Sequence, residues 1–182
     1  MIASKADLKS YIQKDMSFYH RYSSKDKLIL KFIQDPAYQI VQYLRFLRKE
    51  EYYFNTKNNL FKKFMYYYFL NKKNALGNKL GFKIPKNCFG PGLTIYHHGN
   101  IIINESAKIG SNCHLHGNNC IGNDGKVDIA PRIGDNLNLG FGACIIGDVS
   151  LGNNITIGAN AVVIKSALDN AVTLVGIPAR KI

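Results

Sequence analysis

Ile103-Asn104-Glu105-Ser106-Ala107-Lys108-Ile109-Gly110-Ser111-Asn112-Cys113-His114-Leu115-His116-Gly117-Asn118-Asn119-Cys120-Ile121-Gly122 opens a series in which every sixth residue is aliphatic. The series runs on through Val127, Ile133, Leu139, Ile145, Leu151 and Ile157 to Val163, eleven positions without a break. Glycine often follows the anchor, as in Ile109-Gly110 and Leu151-Gly152, and a small or β-branched residue such as Ala107, Cys113, Ala143 or Val149 often stands two positions before it. Neither a helix nor an ordinary strand has a period of six. The pattern suits a triangular coil in which each side is a short strand with one aliphatic side chain turned inward, and in which the corners are small residues. One such coil cannot bury its own inward residues, so the repeat has to continue and the coils have to stack. A β-sandwich with accidentally phased apolar residues is the alternative, and eleven successive matches argue strongly against it.

Working outward from the repeat, the chain divides into two regions of different physics. Its 182 residues carry 24 basic and 12 acidic side chains, a net charge of +12. Residues 1–90 hold 18 basic and 6 acidic groups and the remainder holds 6 of each, so the whole excess lies in front of the repeat. Ten of the eleven tyrosines and nine of the ten phenylalanines lie there too. The expected fold is therefore mainly β: a left-handed parallel β-helix over 82–182, preceded by a basic, aromatic, α-helical region over 1–81.

Within that first region, Leu8, Ile12, Met16 and Tyr19 share one face of a helix expected from Ser4 to about Tyr22. Asp35-Pro36 reads as an N-cap and first-turn proline, followed by the apolar stripe Ile40, Tyr43, Leu44 and Leu47. A third helix is expected over Leu60–Leu70 with Phe61, Phe64, Met65 and Tyr68 inward, and residues 74–86, with Gly77, Gly81 and Pro85, read as its connection to the coil. Lysines and aromatics together suit an anionic membrane face, whereas plain helix packing under a soluble lysine surface explains the same composition. Nucleic-acid binding is not expected, because no recognition motif accompanies the charge. The early charges Lys5, Asp7 and Lys9 argue against a secretory signal. Cys88, Cys113, Cys120 and Cys144 lack metal-ligand spacing and read as reduced packing residues, which points to a cytoplasmic protein; the membrane reading of the basic half would place it peripherally at the inner membrane face.

Chemistry gathers at the start of the coil. His97, His98, His114 and His116 are four of the five histidines. His98 and His116 are eighteen residues apart, one nominal coil, and are expected to stack on one edge. Histidines shared across a trimer interface can hold zinc, but no third ligand accompanies these two, and no metal is expected. A neutral imidazole serving as general base toward an attacking hydroxyl is the better reading.

The repeat, the segment Gly90-Pro91-Gly92-Leu93-Thr94-Ile95-Tyr96-His97-His98-Gly99-Asn100 and the ending Val175-Gly176-Ile177-Pro178-Ala179-Arg180 together resemble the hexapeptide-repeat acyltransferases, in particular their serine acetyltransferase branch. The resemblance covers about residue 82 to the end. It implies a homotrimer with active sites between neighbouring subunits, acetyl-CoA as acyl donor, and His97 as the base. Phe141 and Ala159 are implied along the pantetheine track through their backbones, and Lys165 and Arg180 near the phosphates. Three departures stand out. Phe82-Lys83-Ile84-Pro85 replaces the family's Asp-Ile-His-Pro, Tyr96 replaces the Asp before the catalytic histidine, and Ala130 replaces a second histidine. A zwitterionic acceptor needs charged partners, so their absence points to an uncharged acceptor. The expected activity is thus O-acetylation of a sugar hydroxyl on a bacterial surface polysaccharide or its precursor, with His98, His116 and Asn118 as acceptor-binding residues. Serine O-acetyltransferase is the alternative. The loop from Asn123 to Arg132 is expected to bulge from the coil beside the acceptor groove.

Overall fold

The computed structural model describes every residue except 20–23 and 127, and for 24, 25 and 27 it describes the backbone alone. The end of the first expected helix at Tyr22 and the anchor Val127 lie outside the described residues. Four helices come first: α1 (Lys5–Met16), α2 (Ser24–Phe32), α3 (Pro36–Asn55) and α4 (Leu60–Leu80). Ser4 and Asp7 form a capping box at α1, and Asp35 Oδ1 accepts from the Ala37 and Tyr38 N–H groups ahead of Pro36 at α3. As the sequence pattern predicts, Ile40, Tyr43, Leu44 and Leu47 are fully buried.

α4, expected from the sequence as a third helix, differs from its expectation. It does not stop at Leu70 but continues through Gly77 to a left-handed cap at Gly81 (φ +80°). Its buried side is Phe69, Lys73, Gly77 and Leu80, whereas Phe61 and Phe64 are each 66% exposed. Gly77 fits inside the helix because a Cβ there would stand 2.6 Å from the Phe82 carbonyl oxygen and 3.1 Å from the Tyr43 ring. A glycine read as a breaker is here the point of closest approach between α4, α3 and the first strand.

The coil then winds through three parallel ladders. The first contains β1 (Phe82–Lys83), β3 (Ile101–Ile103), β6 (Cys120–Gly122), β9 (Cys144–Ile146) and β12 (Val162–Val163). The second contains β4 (Lys108–Ile109), β7 (Arg132–Ile133) and β10 (Ser150–Leu151). The third contains β2 (Thr94–Ile95), β5 (His114–Leu115), β8 (Asn138–Leu139), β11 (Thr156–Ile157) and β13 (Thr173–Val175), and β14 (Arg180–Lys181) closes it antiparallel to β13. All ten described anchors of the repeat are buried in one continuous core. Each such side chain contributes about 1.5–3 kcal/mol.

Register shows where the six-residue ruler holds. Ile103 pairs with Ile121 and Leu139 with Ile157, eighteen residues apart. Ile109 pairs with Ile133 and Ile121 with Ile145, twenty-four apart. Six extra residues therefore leave the coil between β6 and β7. The insertion is one repeat long, so the phase survives it, and the bulge expected between Asn123 and Arg132 is present.

Coil and helices meet at Arg48. Its side chain is fully buried, with Nε 2.7 Å from Asp15 Oδ2 and Nη1 3.0 Å from Glu51 Oε2. Nη1 and Nη2 also donate to the carbonyls of Phe89 and Gly90 at 3.0 and 2.7 Å. Asp15 Oδ1 in turn accepts from the Gly92 and Leu93 N–H groups. Asp15→Ala leaves a buried guanidinium short of a partner and orphans two coil amides. It is expected to cost about 3–5 kcal/mol in urea unfolding, against less than about 0.5 kcal/mol for the exposed control Asp169→Ala.

Candidate active site

The candidate site lies at the corner between the third ladder and the first, where β2 turns into β3. Thr94 and Ile95 pair with His114 and Leu115, twenty residues on, while Ile102 pairs with Cys120, eighteen on. Ile95 to Ile102 is seven steps and Leu115 to Cys120 is five, so the corner Tyr96–Asn100 carries two more residues than the corner stacked on it. His97 and His98 occupy this longer corner and both are exposed. Its far side is pinned: Gly99 N–H donates to Leu80 O, Ile101 N–H to Gly81 O and Asn100 N–H to Asn118 Oδ1.

The extra residues overturn one expectation. His98 does not stack over His116, because the twenty-residue register brings Tyr96 there instead. The Tyr96 and His116 rings stack with centroids 4.5 Å apart and 25° between their planes. The Tyr96 hydroxyl shares a 3.0 Å hydrogen bond with His114 Nδ1. His116 Nε2 lies 2.8 Å from Asn138 Oδ1, an acceptor that requires the proton on Nε2. Burial, with the neighbouring His116, holds the His114 imidazole below its ordinary pKa. Tyr96, His114 and Asn138 thus join His116 in a hydrogen-bonded, stacked shelf beside His97. Sequence spacing alone missed this shelf because it assumed equal coils.

Along the same corner the donor side comes into line. A Cβ on Gly117 (φ +121°) would lie 3.6 Å from His97 Cβ and 3.2 Å from the Phe141 ring, so His97, Gly117 and Phe141 are in immediate succession. Gly142 N–H donates to Gly117 O, and Asn160 N–H to Phe141 O, which carries the edge on to Ala159. The buried Asn119 holds this corner, accepting from Gly117 N–H and donating to the Gly140 and Ala143 carbonyls. Nothing in the sequence distinguishes Asn119 from its neighbour Asn118, whose Oδ1 is taken up by the Asn100 amide. Lys165 and Arg180 are both exposed, but elsewhere: Lys165 follows β12 at the next corner, and Arg180 lies on the outer strand β14. Outward from the first ladder, Ile102, Cys120, Cys144 and Val162 stand in register between the His97 corner and the bulged loop. Among the described residues no group of three or more metal-ligating side chains occurs.

No family profile matches the chain. Among curated proteins it is 39% identical over 98 residues to a mitochondrial serine acetyltransferase of Arabidopsis thaliana, covering 53% of this chain and 25% of that protein. It is 34% identical over 100 residues to the serine acetyltransferase of Synechococcus elongatus, covering 54% of this chain and 41% of the relative. The chain therefore spans less than half the length of these curated relatives. Among solved structures, soybean serine acetyltransferase superimposes with a TM-score of 0.75 at 23% identity, over 98% of this chain and 70% of that one. The Brucella abortus serine acetyltransferase in complex with coenzyme A gives 0.70 at 24%, over 97% and 66%. The chain thus shares its fold with solved serine acetyltransferases, and the curated proteins that its sequence resembles are serine acetyltransferases as well.

These similarities correct the expectation of a glycan acceptor. That reading rested on family charges missing at 82–85, Tyr96 and Ala130, an argument from absence, and it is overturned by relatives that are serine acetyltransferases.

His114 gives a stability test. Its folded-state pKa is depressed, so below about pH 7 the unfolded chain binds the proton more readily and stability falls with pH. The loss of Tm between about pH 7 and 5.5 is expected to be smaller in His114→Gln than in the parent, as measured by thermal unfolding at both pH values.

Proposed function

We propose that the protein is an acetyl-CoA-dependent serine O-acetyltransferase with His97 as general base. The observation that carries this reading is the succession of His97, Gly117 and Phe141 along one corner of a coil whose relatives are serine acetyltransferases. An exposed imidazole at that corner takes the proton of the serine hydroxyl as its oxygen attacks the thioester carbonyl. Collapse of the tetrahedral adduct breaks the carbon–sulfur bond, and the imidazolium returns the proton to the departing thiolate. The products are O-acetylserine and CoA, and no acetyl-enzyme forms.

A thioester track along Phe141 and Ala159 is part of the proposal, supported by the backbone ladder that continues the His97 edge. Lys165 and Arg180, exposed at the far end of the coil, supply positive charge for the nucleotide phosphates. The shelf of Tyr96, His114 and His116, with His98 alongside, borders the acceptor. A left-handed wind, a division into 1–81 and 82–182, and a homotrimer with sites between chains belong to the same reading, as does a cytoplasmic place, supported by four free thiols.

Purified protein with acetyl-CoA is expected to release CoA thiol only when L-serine is added, and His97→Ala to lower kcat by roughly 10²–10⁴ with unchanged thermal unfolding. Failure to turn over serine overturns the acceptor, and a fully active His97→Ala overturns the base. Sedimentation is expected to give the mass of three chains of 20.4 kDa.

Peripheral contact with an anionic bilayer is a second proposal, favoured by the outward face of α4, where Leu60, Phe61 and Phe64 stand exposed beside Lys63. No described helix is long and apolar enough to cross a membrane. Co-sedimentation with anionic but not neutral vesicles is expected, weakening with salt and in Phe61→Glu/Phe64→Glu.

A further inference from the structure

Away from the coil corner, a cavity of about 640 Å³ lies among α1, α2 and α3 and has no part in the reaction proposed above. Such a volume is in the range that accepts small molecules. Its apolar walls are Ile12 and Met16 from α1, Leu30 from α2 and Val41 from α3. Its charged groups are both cationic: Lys9 and Arg45 line it, and no acidic side chain does so among the described residues. The Arg45 Nε–H is shut from solvent and has no hydrogen-bond partner among the described residues. The cavity is also held open from below. Tyr19, part of its wall, has its hydroxyl fixed between Ile95 O at 2.6 Å and Ile95 N at 3.0 Å, so that ring cannot swing in to fill the space.

We propose that this cavity is a binding site for a small amphiphilic carboxylate of the fatty-acid type, with its chain along Ile12, Met16, Leu30 and Val41 and its carboxylate accepting from Arg45. The two cations select the sign of the headgroup, and the planar guanidinium suits a carboxylate in particular. The aliphatic stripe of Ile12, Met16, Leu30 and Val41 suits a chain, while Gln13, Tyr38 and Gln42 add polar lining. The site is separate from the His97 corner and does not depend on the reaction assigned there.

Sodium octanoate is the probe. Titrated calorimetrically into the full chain, it is expected to bind saturably at one site per chain, with 1-octanol at least tenfold weaker and octylammonium not binding. Arg45→Gln is expected to weaken octanoate at least tenfold, and Val41→Trp, which fills the cavity, to abolish binding. Circular dichroism checks that both variants keep the parent's helicity, and Arg45→Gln alone decides if Val41→Trp does not fold. No saturable binding up to millimolar octanoate, equal binding of octylammonium, or parent-like affinity in a folded Arg45→Gln overturns the proposal.

Discussion

A stacked coil has an open end, and the requirement to satisfy that end organises the rest of the molecule. Every rung borrows hydrogen bonds from the rungs above and below, so the first rung has backbone groups with nothing beneath them. Here the helices supply the missing partners through side chains. Arg48 covers the Phe89 and Gly90 carbonyls, Asp15 the Gly92 and Leu93 amides, and Glu51 the Asn87 amide. Tyr19 takes both polar groups of Ile95, Tyr43 takes the Ile84 amide, and Lys73 the Ile84 carbonyl. Burying Arg48 opposes its charge, but the Glu51 and Asp15 carboxylates outweigh that cost and hold the guanidinium above its ordinary pKa. A buried charge cluster is weak evidence for stability in general. Its value here is positional, since it fixes which helix meets which rung.

The same reasoning explains why charge is concentrated ahead of the repeat without all of it being surface. Asp15, Arg48, Glu50, Glu51 and Lys73 are buried polar groups drawn from the basic half, and they are spent on the junction. The aromatics likewise pack largely on one another and on the coil, as in Tyr43 against Phe82 and Tyr53 stacked on Phe69. Composition alone cannot separate a junction from a surface, because both use lysine, arginine and tyrosine.

How much of this was legible in the sequence depends on whether a feature is periodic. The ten described anchors were readable because each obeys the same burial rule at the same spacing. Phe61 and Phe64 were misread as inward because a helix of aromatics on several faces has no clear stripe, and only the Gly77 approach to Phe82 and Tyr43 settles which side is buried. The six-residue bulge was detectable by its loop-like composition but invisible to the period, being one repeat long. His97 and Phe141 are proposed from the family resemblance, and the structure sets the two on either side of Gly117. The shelf of Tyr96, His114 and Asn138 was not found, since it depends on a corner that breaks the count.

That broken count has a physical use. Where every corner is alike, outward side chains stack at strand spacing and each is half covered by its neighbours, as Cys144 and Val162 are in the first ladder. Two added residues force the His97 corner out of the column, so His97 and His98 gain solvent while Tyr96 drops into the place above His116. The backbone cost of the longer corner is offset because its amides remain paired, to Leu80, Gly81 and Asn118. Exposure of the imidazole and formation of the stacked shelf are therefore one event. Restoring the eighteen-residue register by deleting the excess would bury the one and dismantle the other.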